Sequence, residues 1–128
     1  MTIAAAAKEA GVGVETIRYY ERRGLIRRPT AGAGYRHYPP NTIREVRFIR
    51  EAQRLGFTLE EIRELIAIAN DDAATCGDVC SATDRKLAEV RERIAQLTRL
   101  ASELESMICS KDCAAPPRAC RLLETLDR

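Results

Sequence analysis

ETIRYYERRG, residues 15–24, sets three arginines and two tyrosines within ten positions and closes on a glycine. Read as a helix over Thr16–Arg23, it places Arg18 and Arg22 four apart on one face, with Tyr19 and Arg23 beside them. Ile17 and Tyr20 then face inward. Arginine can bond guanine edges or phosphates, and tyrosine hydroxyls donate to phosphates. A solvated helix with one core tyrosine has part of the same pattern, so the surroundings must decide between the two.

Upstream, Ile3 to Glu9 reads as a short helix broken by Gly11 and Gly13. Helix, glycine-containing turn and helix within 23 residues is the layout of a helix-turn-helix, whose second helix enters a major groove. Downstream, LIRRPTAGAGYRHY carries Pro29, Gly32 and Gly34 between two short extended segments, Leu25–Arg28 and Tyr35–Tyr38. The expectation is a hairpin wing holding Arg27, Arg28 and Arg36 beside Tyr35 and Tyr38. Two separate Arg/Tyr clusters point to DNA.

Asn41 is expected to cap a helix over 42–54 with Ile43, Val46, Ile49 and Ala52 buried. Thr58 and Glu61 form a capping box for the next helix, whose apolar face is Leu59, Ile62, Leu65, Ile66 and Ala69. From Leu87 the apolar positions run 87, 90, 94, 97, 101, 104 and 108, in alternating steps of three and four. A seam this narrow fits the matching helix of a second chain better than a domain surface, so a homodimer is expected.

Charge supports the same division. The chain of 128 residues carries +2 overall, yet residues 1–54 hold eleven Lys/Arg against five Glu, a local +6. A basic first half is expected to meet a polyanion. No run of apolar residues is long enough to span a membrane, and the first residues lack the basic leader of a signal peptide. The expected compartment is the cytoplasm, where thiols stay reduced.

All five cysteines fall in the last 53 residues: Cys76, Cys80, Cys109, Cys113 and Cys120. Thiolates are soft ligands suited to Zn, Cd, Pb, Hg and Cu(I). The one histidine, His37, lies in the wing, so an all-sulfur site is expected. Cys109 follows Ile108 and also suits a small buried apolar residue. Cys113 and Cys120 fit that reading poorly, because they bracket the polar, proline-containing stretch 114–119. Cys80 lies one helical turn from Cys76 on the same face. An enzyme is disfavoured, since the chain has no C-x-x-C pair and no nucleotide-binding glycine motif.

TIRYYERRGLI (16–26), GYRHY (34–38) and IREAQRLGFTLEEIRELI (49–66) together resemble the MerR family of transcription regulators. The resemblance is close over residues 2–69, and the heptad helix with its cysteine loop is similar to the family's metal-responsive branch. It implies a mainly α fold: a winged helix-turn-helix over 1–69, a hinge and the start of the long helix over 70–80 and a long antiparallel coiled-coil dimerisation helix over 81–109. A metal-binding loop and a short terminal helix fill 110–128. It implies promoter DNA and RNA polymerase as partners, with metal binding distorting the DNA to turn a repressor into an activator. The implied DNA-contacting residues are Thr16, Arg18, Tyr19, Arg22, Tyr35, Arg36, Tyr38 and Arg47, with Arg50 an alternative to the last.

The resemblance implies as metal ligands Cys76 of one protomer with two loop cysteines of the other, and Cys120 matches the second of these by its distance from Cys76. The spacing of mercury sensors would put the first at Lys111, so the chain departs from that pattern; Cys113 is taken for it because it lies outside the helix and its six-residue gap to Cys120 can curl round an ion, with Cys80 and Cys109 as further candidates. Copper(I) sensors of the family carry serine where Cys76 stands. Residues 82–108 and AQRLGF (52–57) lean toward the mercury branch, making Hg(II) the first expected effector and Cd(II), Pb(II) or Zn(II) the alternatives. An iron–sulfur branch is disfavoured because its loop carries four clustered cysteines and this one has three.

Overall fold

The fold was obtained as a computed structural model that describes residues 1–29 and 37–127. It comprises α1 (Ile3–Ala10), α2 (Val14–Arg22), α3 (Asn41–Arg54), α4 (Leu59–Ala69), α5 (Cys76–Met107) and α6 (Arg121–Glu124), with 3-10 turns at Pro117–Ala119 and Thr125–Asp127. Two compact units result, Met1–Lys86 and Leu87–Arg128. Among the described residues no helix is long and apolar enough to cross a membrane.

In the first unit, local chemistry sets the helix ends. Thr2 accepts from the Ala5 N–H at 3.1 Å and starts α1. Gly11, at φ 76°, ends it in the left-handed region that a side chain would resist. The second helix starts at Val14, two residues before the expected Thr16, with Gly13 as its cap and Glu15 in its first turn. Gly24, at φ 73°, then reverses the chain. For α3 the expected cap moves. Pro40 takes that place and Asn41 is the first helical residue, its amide donating to Glu45 at 3.0 Å. The capping box of α4 forms as expected: Glu61 N–H to Thr58 Oγ1 at 3.2 Å, and Thr58 N–H to Glu61 Oε1 at 2.8 Å.

These helices close one core. Ile17, Val46, Ile49 and Ile62 are its largest fully buried side chains. Ala6, Ala7, Ala10, Tyr20, Leu25, Ile26, Tyr38, Ile43 and Ala52 complete it. The inward stripe of α3 and the inward Ile17 and Tyr20 of α2 are as the periodicity requires. Of the expected apolar face of α4, only Ile62 is fully buried; Leu59 and Ile66 pack at its margin and Ala69 is exposed.

The wing differs from expectation where it is described. No strand occurs among the described residues, and Leu25 and Ile26 are core residues on an irregular segment. Residues 30–36, including Tyr35 and Arg36, lie outside the described residues.

The second unit is built on α5 from Leu87 onward and on the cysteine loop with its short terminal turns. The long helix ends at Met107, so Ile108, the last seam position, falls just beyond. The seam is uncovered in the single chain: Ile94, Leu97, Leu104 and Ile108 are 57%, 65%, 55% and 70% exposed. Such a row of exposed branched side chains marks an interaction face. The expected terminal helix over 121–126 is shorter, with α6 spanning Arg121–Glu124 before a 3-10 turn.

Candidate DNA interface and thiol groups

On α2 the core requirement for Ile17 and Tyr20 turns Arg18, Tyr19 and Arg22 to the outside. The Arg22 guanidinium lies 5.9 Å from the centre of the Tyr19 ring, which orients both side chains. Arg18 is paired only loosely with Glu15, at 3.4 Å, and both are well exposed. Such a pair holds its partners weakly and leaves the guanidinium available. Thr16 is half-buried at the base of this face. Arg18, Arg22 and Arg28 surround a recess floored by Glu21. The chemistry on offer is a cationic, hydrogen-bond-donating surface one helix wide, suited to a phosphate backbone.

Tyr38 does not belong to that surface. It is 2% exposed, and its hydroxyl donates to Glu21. Its backbone is fixed as well, since the Tyr38 N–H donates to the Met1 carbonyl at 2.7 Å. The expectation of a DNA-facing Tyr38 is corrected on physical grounds. A side chain sealed in the core has no path to a ligand, and its hydroxyl anchors the carboxylate beneath Arg28, 3.9 Å from Glu21.

Two arginines of α3 have a structural task. Arg47 Nη2 donates to the Glu9 carbonyl at 3.3 Å, and Arg50 Nη1 donates to the Gly11 carbonyl at 3.0 Å. Both satisfy carbonyls at the end of α1, where helices lack internal donors. Each remains exposed, so further guanidinium donors stay in solvent. Tyr20 donates to Gln53 at 2.9 Å, and burial pushes its phenol above the ordinary value against the opposing pull of Arg50.

A lysine that composition alone reads as solvated is buried here. Lys86, on α5, is 5% exposed. Its ammonium lies 2.7 Å from Glu61 Oε1 and 5.6 Å from the centre of the Phe57 ring. Glu61 therefore caps α4 and receives the base of α5. The Lys86 ammonium, then the Thr58 N–H, hold its carboxyl below the ordinary glutamate value.

All five cysteines are free thiols; Cys76, Cys80, Cys109 and Cys113 are exposed and Cys120 is half-buried. Cys76 opens α5, and the Asp78 carboxylate accepts from the Thr75 N–H at 2.8 Å to fix that first turn. The Cys76 thiol, with smaller contributions from burial and Asp84, pushes the Cys80 thiol up. In the second unit, Cys113 first, then burial and Cys120, push the Cys109 thiol up.

Two groups of sulfurs thus lie within electrostatic reach: Cys76 with Cys80, and Cys109 with Cys113 and Cys120. Among the described residues no three His, Cys, Asp or Glu side chains are already gathered tightly enough to hold a metal ion. The loop thiols are neighbours rather than a finished cage. Ser110 shapes their turn, its carbonyl accepting from the Cys113 N–H at 3.0 Å and its hydroxyl from the Asp112 N–H at 3.2 Å. Arg121 ties the far end back to α5 through the Ser106 carbonyl at 2.9 Å. The donor set, reduced exposed sulfur without histidine, suits a soft ion.

Comparison with known proteins finds relatives over nearly the whole chain. Residues 1–67 match the MerR helix-turn-helix family of regulatory proteins, and residues 43–107 match the family's DNA-binding description. A mercuric resistance operon regulatory protein of Shigella flexneri is 40% identical over 127 residues, covering 98% of this chain and 87% of that one. Among solved structures, the lead(II) complex of the regulator PbrR691 from Ralstonia metallidurans CH34 has a TM-score of 0.84 at 32% identity, covering 98% of each chain. The mercury(II) complex of the regulator MerR from Bacillus megaterium MB1 has a TM-score of 0.71 at 36% identity, covering 98% of this chain and 97% of that one. With its helix-turn-helix core, its arginine-bearing second helix and its long thiol-flanked helix, this chain belongs to the MerR family of helix-turn-helix regulatory proteins.

Proposed function

We propose that this protein is a metal-responsive transcription regulator that represses a heavy-metal resistance promoter without metal and activates it when a soft divalent ion binds. The observation that carries this reading is the set of free, largely exposed thiols flanking the seam of α5. Hg(II) is the first effector, supported by the 40% identity to a mercuric resistance regulator over nearly the whole chain. Lead(II) is the second reading, favoured by the greater backbone likeness to the lead-bound regulator, 0.84 against 0.71 for the mercury-bound one.

Two copies pair through the α5 seam, whose exposed leucines and isoleucines supply the apolar face. Cys76 of one protomer and Cys113 and Cys120 of the other hold the ion, with Cys109 adjoining. Bound metal would supply a bridge of sulfur–metal bonds between the two chains. Arg18, Tyr19 and Arg22, with Thr16 and the wing residues Tyr35 and Arg36, meet the DNA. Arg47 contributes a remaining donor to phosphate. Tyr38 acts indirectly, by holding Glu21. Lys86 and Glu61 join the start of α5 to the helix-turn-helix core, so a shift of α5 acts on the DNA-binding unit. RNA polymerase is the partner that reads the altered promoter. Any such switch requires the two DNA-bound states to differ in metal affinity.

The test is promoter transcription with the purified, reduced protein titrated with Hg(II), Pb(II), Cd(II) and Zn(II). Repression relieved and output raised by Hg(II) at the lowest free concentration supports the reading. Output unaffected by all four ions overturns it.

A further inference from the structure

The cross-chain site leaves one exposed thiol of the first turns of α5 without a task. Cys80 follows Cys76 by four residues on a continuous helix, so the two share a face. Both are exposed, so neither serves as a small core residue. The neighbouring hydroxyls turn back into the helix, Ser81 to the Gly77 carbonyl at 3.0 Å and Thr83 to the Val79 carbonyl at 2.8 Å, and leave the thiol pair uncovered.

The spacing suits one ion. Cβ atoms four residues apart on a helix lie about 5–6 Å from each other. Two metal–thiolate bonds of about 2.3 Å set the sulfurs at most about 4.6 Å apart. Side-chain rotation alone closes that difference, with no change in the backbone.

We propose that Cys76 and Cys80 form a two-thiolate site for a soft divalent ion, complete within one chain and independent of the loop cysteines. This rests on the soft-metal reading above and deepens it. Each thiol releases its proton to solvent as its sulfur bonds the ion; two sulfur–metal bonds form, two protons leave, and no oxidation state changes. Once one sulfur is bonded, the second acts at high effective concentration, so the pair outcompetes separate monothiols. Each chain then captures the ion by itself, on the same Cys76 that the cross-chain site uses.

The test uses the full chain with Cys109, Cys113 and Cys120 all replaced by serine. Reduced protein is loaded with Hg(II), desalted in excess glutathione, and assayed for retained mercury and for the ultraviolet thiolate-to-mercury band. One ion retained per chain is expected, falling at least about tenfold when Cys80→Ser is added, since the chelate is then lost. Circular dichroism of both variants controls for folding, and Cys80 is exposed enough to accept serine. No retention in the triple variant while the unmodified protein retains mercury overturns the two-thiolate site alone. Retention that survives Cys80→Ser also overturns it. Failure of the unmodified protein to retain mercury removes the metal reading, and this site with it.

Discussion

Lys86 Nζ sits 2.7 Å from Glu61 Oε1, joining the base of the long helix α5 to the N-terminal cap of α4. The lysine side chain is 6% exposed and the glutamate 35%, so the two ends of the pair differ in what their loss leaves behind. Glu61→Ala removes one carboxylate partner of a buried ammonium and also half of the capping box. It should cost about 2 kcal/mol or more, allowing for the glutamate's partial solvent screening. Lys86→Met keeps an apolar stem against Phe57 and leaves Glu61 able to reach water, so it should cost under about 1 kcal/mol. Urea unfolding of both variants checks the order. Equal losses would mean that the pair does not carry the asymmetry.

The same contact sets an acid dependence. The Glu61 carboxyl is held below its ordinary value, so its contribution to stability is fully present above the unfolded value of about 4.3. It is lost as pH falls through the lower folded value. The stability difference between the unmodified protein and Glu61→Gln should therefore be constant near neutrality and shrink progressively below about pH 4.3. Denaturant midpoints across that range measure it. A difference that grows on acidification would reverse the assignment.

On the DNA side, Arg18→Ala and Arg22→Ala should weaken binding on both specific and unrelated DNA. Each should reduce the salt slope by about one if it meets a phosphate. Tyr38→Phe should behave differently. It removes a donor to Glu21 inside the core, so it should lower stability by about 1 kcal/mol while leaving the salt slope intact. Fluorescence anisotropy across a salt series separates the two behaviours.

Leu97, 65% exposed in the single chain, lies in the middle of the seam. Leu97→Lys should convert a dimer to a monomer at micromolar concentration, because a charge at that position cannot be buried against its own copy. Sedimentation equilibrium reads the mass directly. The helix-turn-helix unit has its own core and should keep its fold.

The parts of the molecule that could be read from the chain are those fixed by short-range chemistry. Thr58 and Glu61 are three residues apart, and their capping box needs no knowledge of the rest. Ile17, Val46 and Ile49 follow from helical spacing. Tyr38 could not be read in this way: among arginines it resembles a phosphate donor, and its place in the core and its bond to Glu21, 17 residues earlier, come from packing between distant segments. Lys86 hides for a similar reason, since only packing against Phe57 and Glu61 tells a buried lysine from a solvated one. Cys109, following a seam residue, suits a small buried side chain. The helix ends at Met107, however, and leaves its thiol exposed beside Cys113.

The most direct test of a metal bridge between two chains is a mixed dimer. One chain carries Cys76→Ser; the other carries Cys113→Ser and Cys120→Ser. Each variant alone should fail to activate the promoter with Hg(II), because every cross-chain site then lacks a ligand. The mixed dimer keeps one site whole, with Cys76 from the second chain and Cys113 and Cys120 from the first. Recovery of Hg(II)-dependent transcription in the mixed dimer is the predicted result. A mixed dimer as inactive as its two parents would contradict the account.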